Sequence, residues 1–253
     1  MTSNPATRLP HVEILPDKAA VVERALTLVL ETIEDAIATR NRCTLALAGG
    51  STPKPLYEAL AQQNLPWEKF YIFWGDERYV PIDHSDSNAG MAKKAWLDQV
   101  PIPPEQIFPM PTETGDPKES AQQYEQTLKT VFPDAGASVP QLDLILLGMG
   151  DDGHTASLFP HTDALHVYDR LITVGNKDGQ PRITFTVPLI NQGRRVIFMT
   201  TGANKQHALS QVFSADAQAV DFPSRLIQPQ GELWWLLDAE AGVPLAGMIP
   251  NPS

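Results

Sequence analysis

The sequence of 253 residues contains a single cysteine, Cys43. One cysteine cannot form an internal disulfide, and it excludes a zinc site built from several cysteines. This low cysteine content is typical of proteins from a reducing compartment. The longest apolar runs, LALA at 45–48 and LILL at 144–147, are far too short to cross a bilayer. We therefore expect neither a disulfide nor a membrane-spanning segment.

Basic residues are also scarce. The chain has 19 Lys and Arg against 30 Asp and Glu, which gives a formal net charge of −11. It has no run rich in Lys or Arg, so it is a poor match for a nucleic acid or an anionic membrane surface. Residues 1–15 lack the basic start and apolar core of a secretory signal. We expect a cytoplasmic protein that binds neither nucleic acid nor membranes.

Several short catalytic motifs are missing as well. The chain contains no GxSxG, Walker A or HExxH motif and no protein-kinase signature. Their absence disfavours a serine hydrolase, a P-loop enzyme and a zincin. The histidines His154, His161 and His166 are spaced by seven and five residues, so no two of them share a helix face at i and i+4. We therefore expect no metal site.

Predicted strands and helices alternate along most of the chain, which is 42% hydrophobic. Buried strands are predicted at 43–48, 69–75, 142–148, 182–187, 195–200 and 232–238, and helices at 17–40, 53–63, 88–99, 117–132 and 203–213. This order predicts an α/β fold with a mostly parallel sheet and helices on both faces. We expect one domain over residues 1–253, with its core at about 15–240. In such sheets ligands bind beyond the carboxyl ends of the strands.

A glycine-rich turn, Gly49-Gly50-Ser51-Thr52-Pro53-Lys54, follows the first predicted strand. Glycine lets the backbone turn tightly and approach a ligand, and a helix start offers N–H groups that bind phosphate. Ser51 and Thr52 can add hydroxyl donors. The alternative is an ordinary turn with a Ser or Thr helix cap.

Charged residues follow the second predicted strand, in the segment Gly75-Asp76-Glu77-Arg78-Tyr79. Asp76 has the chemistry for proton transfer, and Arg78 has the forked donors that bind anions. The alternative is a surface ion pair between them. The polar segment 83–88 that comes next is interpreted as the cap of the following helix rather than as a lid.

The segment after the third predicted strand, 148–160, is the richest in functional residues. It contains G-x-G-x-x-G, but Asp151 and Asp152 would place two carboxylates beside the pyrophosphate of a dinucleotide, so we reject that interpretation. We instead interpret the segment as a loop that presents Asp152 and His154. The imidazole suits proton transfer near neutral pH, and a carboxylate can orient the ring. The alternative is that His154 begins a helix and has no chemistry.

Two cations in the second half of the chain complete the candidate site. Arg182 opens a predicted strand. Lys205 lies in the first turn of a predicted helix, where a cation is unfavourable unless an anion lies beside it. This position favours a phosphate partner, although a solvated lysine is the simpler explanation for Lys205 on its own.

The chain resembles 6-phosphogluconolactonases in five segments that occur in the family's order. They are LALAGGSTPKPLYEAL (45–60), FWGDERYVPIDHSDSN (73–88), LDLILLGMGDDGHTASLFP (142–160), PRITFTVPLIN (181–191) and TGANK (201–205). The resemblance implies a modified Rossmann-like sheet, similar to that of glucosamine-6-phosphate deaminases. It also implies hydrolysis of 6-phosphoglucono-δ-lactone to 6-phosphogluconate, in the pentose phosphate pathway, without a metal or other cofactor.

The resemblance also implies roles for individual residues. His154 would be the general base that activates water, with Asp152 and Asp76 beside it. Arg78 would hold either the phosphate or the lactone oxygens. The remaining phosphate-binding residues would be Gly50, Ser51, Thr52, Arg182 and Lys205. We expect a small sugar phosphate as the only partner and a monomer or weak dimer as the assembly.

Two alternative functions stay open. One is a glucosamine-6-phosphate deaminase or isomerase. In that related family the Asp-Gly-His motif is followed by an Asn-Glu pair, whereas here Thr-Ala-Ser-Leu-Phe-Pro follows and no acid occurs before Asp163. The other alternative is a protein that binds a sugar phosphate without turnover, which the intact Asp152 and His154 pair disfavours.

Overall fold

The computed structural model describes residues 9–133 and 139–247. The strands within these ranges are β1 His11–Leu15, β2 Cys43–Leu47, β3 Phe70–Trp74, β4 Asp76–Arg78, β5 Leu144–Leu147, β6 Ile172–Lys177, β7 Gln180–Phe185, β8 Arg195–Thr200 and β9 Glu232–Asp238. The α-helices are α1 Lys18–Arg40, α2 Lys54–Leu60, α3 Asn88–Ala95, α4 Pro117–Val131, α5 Val187–Asn191, α6 Gln206–Val212 and α7 Ala239–Gly242.

Six strands form a parallel sheet in the order β1-β9-β8-β5-β2-β3. Every residue of β2 and β5 is buried. Strands covered on both faces are expected to be continuously apolar, which explains why these two were readily predicted from their sequences. The prediction of an α/β fold with a mostly parallel sheet is confirmed.

Helices pack on both faces of this sheet. On β8, the Arg195 guanidinium points towards α1 and donates to the carbonyl oxygen of Leu28 at 3.0 Å. Because side chains alternate along a strand, Phe198 lies on the opposite face, where its ring stacks on Trp235 with centroids 3.8 Å apart. Phe213, directly after α6, packs edge-on against the same indole at 5.4 Å. Helices α1 and α6 therefore cover opposite faces.

Capping residues set the bounds of the longest helix, α1. The side chain of Asp17 accepts a hydrogen bond from the Ala20 N–H at 2.9 Å, which satisfies a free donor of the first turn. At the other end Asn41 adopts a left-handed conformation with φ of 55°, which ends the helix. The predicted helix at 17–40 is therefore confirmed to within one residue.

The predicted strand at 182–187 is present, shifted by two residues, but it does not belong to the parallel sheet. It forms β7, the middle strand of a separate antiparallel sheet in the order β4-β7-β6. Gly75 connects β3 directly to β4, and its carbonyl oxygen accepts from the Phe185 N–H at 2.8 Å. A short apolar run has the same sequence pattern in either sheet, so only tertiary pairing decides between them.

The small sheet places β4 and β7 at the carboxyl edge of the large sheet. The residues from Asp76 to Arg78, which follow β3 after Gly75, are thereby held in regular pairing with β7. Their positions are fixed by backbone hydrogen bonds rather than by a flexible loop. In the described part of the chain, no helix has the length and apolar character needed to span a membrane.

Candidate active site

A cleft of about 290 Å³ opens at the carboxyl ends of β3, β2, β5 and β8. This volume is near the lower end of the range, roughly 300–1,000 Å³, that is usual for small-molecule sites. The four strands are neighbours in the sheet, so the segments that follow them converge on one place. The location agrees with the rule that ligands bind beyond the carboxyl ends of parallel strands.

The glycine-rich turn after β2 forms one wall of the cleft. Gly50 has φ of +94°, a conformation that side chains other than hydrogen rarely tolerate. Helix α2 begins only at Lys54, and Pro53 occupies its cap position without a side-chain hydrogen bond. Ser51 and Thr52 are therefore not helix caps, and both line the cleft.

The segment after β5 is a loop of turns, and no helix begins in it between residues 148 and 162. This excludes the strand-to-helix geometry of a dinucleotide site and also the alternative that His154 begins a helix. The loop closes on itself, since the Gly150 N–H donates to the His154 carbonyl oxygen at 2.8 Å. It carries the His154 side chain into the lining of the cleft.

His154 is paired with Asp152 by two hydrogen bonds. The ring nitrogen Nδ1 lies 2.6 Å from Oδ1 of Asp152, and the His154 backbone N–H donates to the same oxygen at 3.0 Å. A carboxylate at Nδ1 stabilises the tautomer that carries its proton there, which leaves Nε2 unprotonated. The ring also packs on Phe159, with centroids 4.4 Å apart. Its orientation is thus set from two sides.

Gly150 makes this pairing possible. A Cβ atom at position 150 would lie 2.1 Å from Nδ1 of His154 and 2.5 Å from Oδ1 of Asp152. Both distances are far below van der Waals contact, so any side chain here would push the two residues apart. Position 150 therefore requires glycine, because the side chains of His154 and Asp152 lie where a Cβ atom would be.

The surroundings of Asp152 keep its carboxylate ionised. Partial burial by itself would raise the pKa of this group. The hydrogen bonds from His154 and the charges of His154 and Lys177 outweigh burial and lower the pKa of Asp152 to about 2. Asp152 is therefore a fixed negative charge beside the imidazole.

Arg78 and Arg182 provide positive charge on the side of the cleft formed by the small sheet. They are direct cross-strand partners in the antiparallel pair β4 and β7. Burial and then the charge of Arg78 lower the pKa of Arg182, while Asp76, Asp86 and Glu77 oppose this shift. Among the described residues, the Arg182 guanidinium has no hydrogen-bond or ion-pair partner.

Asp76 is the carboxylate that lines the cleft within the described ranges. Its Oδ2 accepts from the Ser157 hydroxyl at 2.6 Å, and its Oδ1 lies 3.4 Å from Nδ2 of Asn88. Its hydrogen bonds therefore go to these two residues, whereas His154 is paired with Asp152. Asp76 and His154 nevertheless share the cleft lining.

Lys205 reaches the cleft from the segment after β8. The predicted helix at 203–213 begins as a short 3₁₀ turn at Ala203–Lys205, and α6 starts at the next residue.

Thr200, also in the lining, is buried, and its hydroxyl has no hydrogen-bond partner in the described structure. The Nε of Arg78 is a second such buried and unpartnered donor. Buried polar atoms normally have a hydrogen-bond partner, so these two are available to water or to a polar ligand in the cleft.

The structure brings all the predicted site residues to this cleft or next to it. Asp152 contacts His154 from beside the lining, and the other eight line the cleft themselves: Gly50, Ser51, Thr52, Asp76, Arg78, His154, Arg182 and Lys205. Sequence reasoning missed Asn88 and Thr200. The sequence places Asn88 in the predicted helix cap at 83–88, but the cap residue is Ser87, whose hydroxyl accepts from the Gly90 N–H. Thr200 is a single threonine at the end of a strand, and no sequence pattern around it indicates a binding role.

Comparisons with known proteins identify the family. A model described as glucosamine-6-phosphate isomerases/6-phosphogluconolactonase matches residues 16–235. This chain belongs to that family. Within the family, a 6-phosphogluconolactonase from Synechocystis is 61% identical over 92% of this chain and 97% of its own length. One from Nostoc is 60% identical over 93% of this chain and 98% of its own length.

A solved structure from the same family has the same fold. The 6-phosphogluconolactonase of Trypanosoma brucei superposes with a TM-score of 0.84 at 30% identity, over 94% of this chain and 99% of that one. The range that the family model matches, residues 16–235, includes every predicted site residue.

The histidines outside the cleft do not form a metal site in the described residues. Across residues 9–133 and 139–247, no three His, Cys, Asp or Glu side chains are grouped so that they could hold a metal ion. His161 instead faces Asp221, with 3.1 Å between Nε2 and Oδ1. His161 and His166 are absent from the lining of the cleft.

Proposed function

We propose that the cleft hydrolyses 6-phosphoglucono-δ-lactone to 6-phosphogluconate, with His154 as the general base. The single observation that carries the proposal is that the cleft combines the paired imidazole of His154 with a separate group of cations. The family relatives named 6-phosphogluconolactonases, at 61% and 60% identity over nearly the full chain, support the same substrate and reaction.

The cations hold the phosphate of the substrate. The chain has a net charge of −11, so its overall field repels a dianion and the attraction must come from a local cluster. Arg182 and Lys205 supply that cluster, and Gly50, Ser51 and Thr52 add backbone and hydroxyl donors. The phosphate takes no part in the chemistry. Its binding energy positions the lactone ring against His154.

The reaction needs a base but no covalent nucleophile, because a lactone is an activated ester. Nε2 of His154 takes a proton from a water molecule as the water oxygen bonds to C1 of the lactone. The carbonyl oxygen becomes an oxyanion in the tetrahedral intermediate. When the bond from C1 to the ring oxygen breaks, His154 returns the proton to that oxygen. The products are a carboxylic acid and a free hydroxyl on one open chain.

Asp152 and Asp76 assist this base. Asp152 keeps the proton of the resting imidazole on Nδ1 and stabilises the imidazolium once Nε2 has been protonated. Asp76 adds negative charge inside the cleft, which also favours the imidazolium. Donors for the oxyanion come from backbone N–H groups of the glycine-rich turn or from Arg78. Arg78 therefore binds either the phosphate or the lactone oxygens.

The geometry favours this reaction over the two alternatives. A deaminase needs a further acid in the histidine relay, but among the described residues Asp76 is the one acid in the lining, and Asp163 lies outside it. A protein that binds without turnover would not need the His154–Asp152 pair.

Few large apolar side chains are exposed in the described ranges, namely Leu9, Ile82, Tyr168 and Val243, which favours a monomer or weak dimer.

A turnover assay tests the proposal. The purified protein is mixed with freshly made lactone, and 6-phosphogluconate formation is compared with spontaneous hydrolysis in the same buffer. Glucosamine 6-phosphate is offered in a parallel reaction, with ammonia as the readout. Lactone hydrolysis well above background, without ammonia release, is expected. Ammonia release, or no turnover of either compound, would reject the lactonase assignment.

A further inference from the structure

Asn88 is held rigidly in the cleft wall by hydrogen bonds that leave one of its atoms free. It is 2% exposed and opens helix α3. The buried carboxylate of Glu77 accepts from the Asn88 backbone N–H at 2.8 Å and from the Ala89 N–H at 2.8 Å. The side-chain Nδ2 of Asn88 donates to the Asp76 carbonyl oxygen at 2.9 Å. Backbone and side chain are thus both anchored.

The free atom is the side-chain oxygen Oδ1. It is buried and has no hydrogen-bond partner within the described structure. It lies against Gly49, where an added Cβ would be 1.7 Å away. The amide cannot rotate to exchange its two ends, because Oδ1 would then face the carbonyl oxygen and carboxylate of Asp76, and acceptors do not bond to acceptors. The unpartnered end of Asn88 is therefore an acceptor, on a residue that lines the cleft.

The chemistry of the substrate decides what this acceptor can bind. The phosphate and the lactone carbonyl offer oxygen acceptors, whereas the secondary hydroxyls of the ring offer donors. We propose that Oδ1 of Asn88 accepts a hydrogen bond from one ring hydroxyl of the lactone and thereby sets the preference for a hydroxylated ring. This assignment rests on the proposed function, since it takes a sugar lactone as the ligand.

Deoxy analogues test the assignment directly. Rates are measured for the wild-type protein and for Asn88→Ala with 6-phosphogluconolactone and with its 2-, 3- and 4-deoxy forms. We expect the wild type to lose about 10–100-fold in kcat/KM on one analogue, since a buried acceptor is then left unpaired. Asn88→Ala should lose a similar factor on the full substrate and should not distinguish it from that analogue.

A matched control separates recognition from general damage. Asn191 is a partly buried asparagine outside the cleft, and its amide bonds to the backbone of Leu226 and Gln228. Asn191→Ala should keep the wild-type ratio of rates between full and deoxy lactones, whatever its stability. An Asn88→Ala enzyme that keeps the wild-type ratios for all three analogues would overturn the proposal. Any lower rate of the Asn88→Ala enzyme would then come from a changed structure or from the loss of a bound water.

A second measurement uses only the wild-type protein, in case Asn88→Ala does not fold. The side-chain NH₂ resonances of Asn88 are followed by ¹⁵N NMR while 6-phosphogluconate, which keeps the C2, C3 and C4 hydroxyls of the lactone on an open chain, or inorganic phosphate is added to saturation. We expect a shift with 6-phosphogluconate and none with phosphate. Equal shifts with both, or none with either, would overturn the assignment. Because this test needs no turnover, its result is independent of whether the protein hydrolyses the lactone.

Discussion

Arg78 and Arg182 face each other across the antiparallel strands β4 and β7 as direct pairing partners. Like charges in directly opposite positions destabilise a sheet. The nearby carboxylates do not neutralise the pair by contact, because neither arginine forms an ion pair among the described residues. A dianion between the two guanidinium groups would remove the repulsion. We therefore expect anion binding to stabilise the small sheet.

Replacing one arginine should stabilise the unliganded protein. We expect Arg182→Gln to raise the free energy of unfolding by roughly 0.2–1 kcal/mol, because the cross-strand repulsion disappears. Thermal unfolding in a buffer free of phosphate measures this change. Arg170→Gln is the control, since Arg170 is exposed and already paired with Asp169. A destabilised Arg182→Gln protein would contradict the interpretation of this pair.

The same substitution should also weaken stabilisation by phosphate. A ligand that binds only the folded state raises the unfolding temperature in proportion to the logarithm of its concentration. We expect inorganic phosphate to raise the unfolding temperature of the wild type clearly and that of Arg182→Gln much less. Equal increases in both proteins would place the anion elsewhere.

Substrate preference offers a sharper test of Arg182 and Lys205. Charge-assisted hydrogen bonds are worth roughly 1.5–3 kcal/mol, so Arg182→Ala or Lys205→Ala should lower kcat/KM by about 10–100-fold. The double variant should lose its preference for 6-phosphogluconolactone over unphosphorylated gluconolactone. A merely structural residue would lower both rates together. If the ratio of the two rates stays at the wild-type value, neither residue contacts the phosphate.

The pair of His154 and Asp152 predicts two graded losses of turnover. His154→Ala removes the base, and we expect kcat to fall on the order of 10²–10⁴-fold with little change in phosphate binding. Asp152→Asn keeps the shape but cannot stabilise the imidazolium, so kcat should also fall, by a smaller factor. Initial rates corrected for spontaneous hydrolysis measure both. Near-normal turnover of His154→Ala would show that another group is the base.

The lowered pKa of Asp152 predicts the pH range in which its pairing with His154 stabilises the fold. The unfolded carboxyl group has a pKa of about 3.9, while that of Asp152 in the folded protein is about 2. A depressed carboxyl pKa contributes stability above the unfolded value, and this contribution is lost as the pH falls towards the folded value. The difference in unfolding temperature between wild type and Asp152→Asn should therefore be fully present at about pH 5. It should shrink below about pH 4.

Much of the site could be predicted because the sheet brings its strand ends together. The strands β2, β3, β5 and β8 are apolar runs bounded by glycine, charged or polar residues, so their positions and carboxyl ends could be predicted from the sequence alone. The segments after them then had to converge. This reasoning located His154, Asp76 and Lys205 without any knowledge of strand order.

The positions of Asn88 and of β7 depend on tertiary contacts, which leave no pattern in the local sequence. The polar stretch before Asn88 has the composition of an ordinary helix cap. It places Asn88 in the cleft only because the buried Glu77 accepts three backbone N–H groups, from Arg78, Asn88 and Ala89. Likewise, the membership of β7 in a second sheet follows from its pairing with β4 and β6, not from its composition.

A single methyl group provides the most local test of the catalytic pair. Gly150→Ala places a Cβ atom within 2.1 Å of Nδ1 of His154, so the ring must move away from Asp152. We expect kcat to fall nearly as far as in His154→Ala with little change in KM, and the unfolding temperature to fall about as far as in Asp152→Asn, because the same pair is broken. Gly148→Ala is the matched control, since its Cβ has no atom within 4 Å. A smaller loss of kcat is expected there. If Gly150→Ala turns over as fast as Gly148→Ala, the close pairing of His154 and Asp152 does not determine the rate.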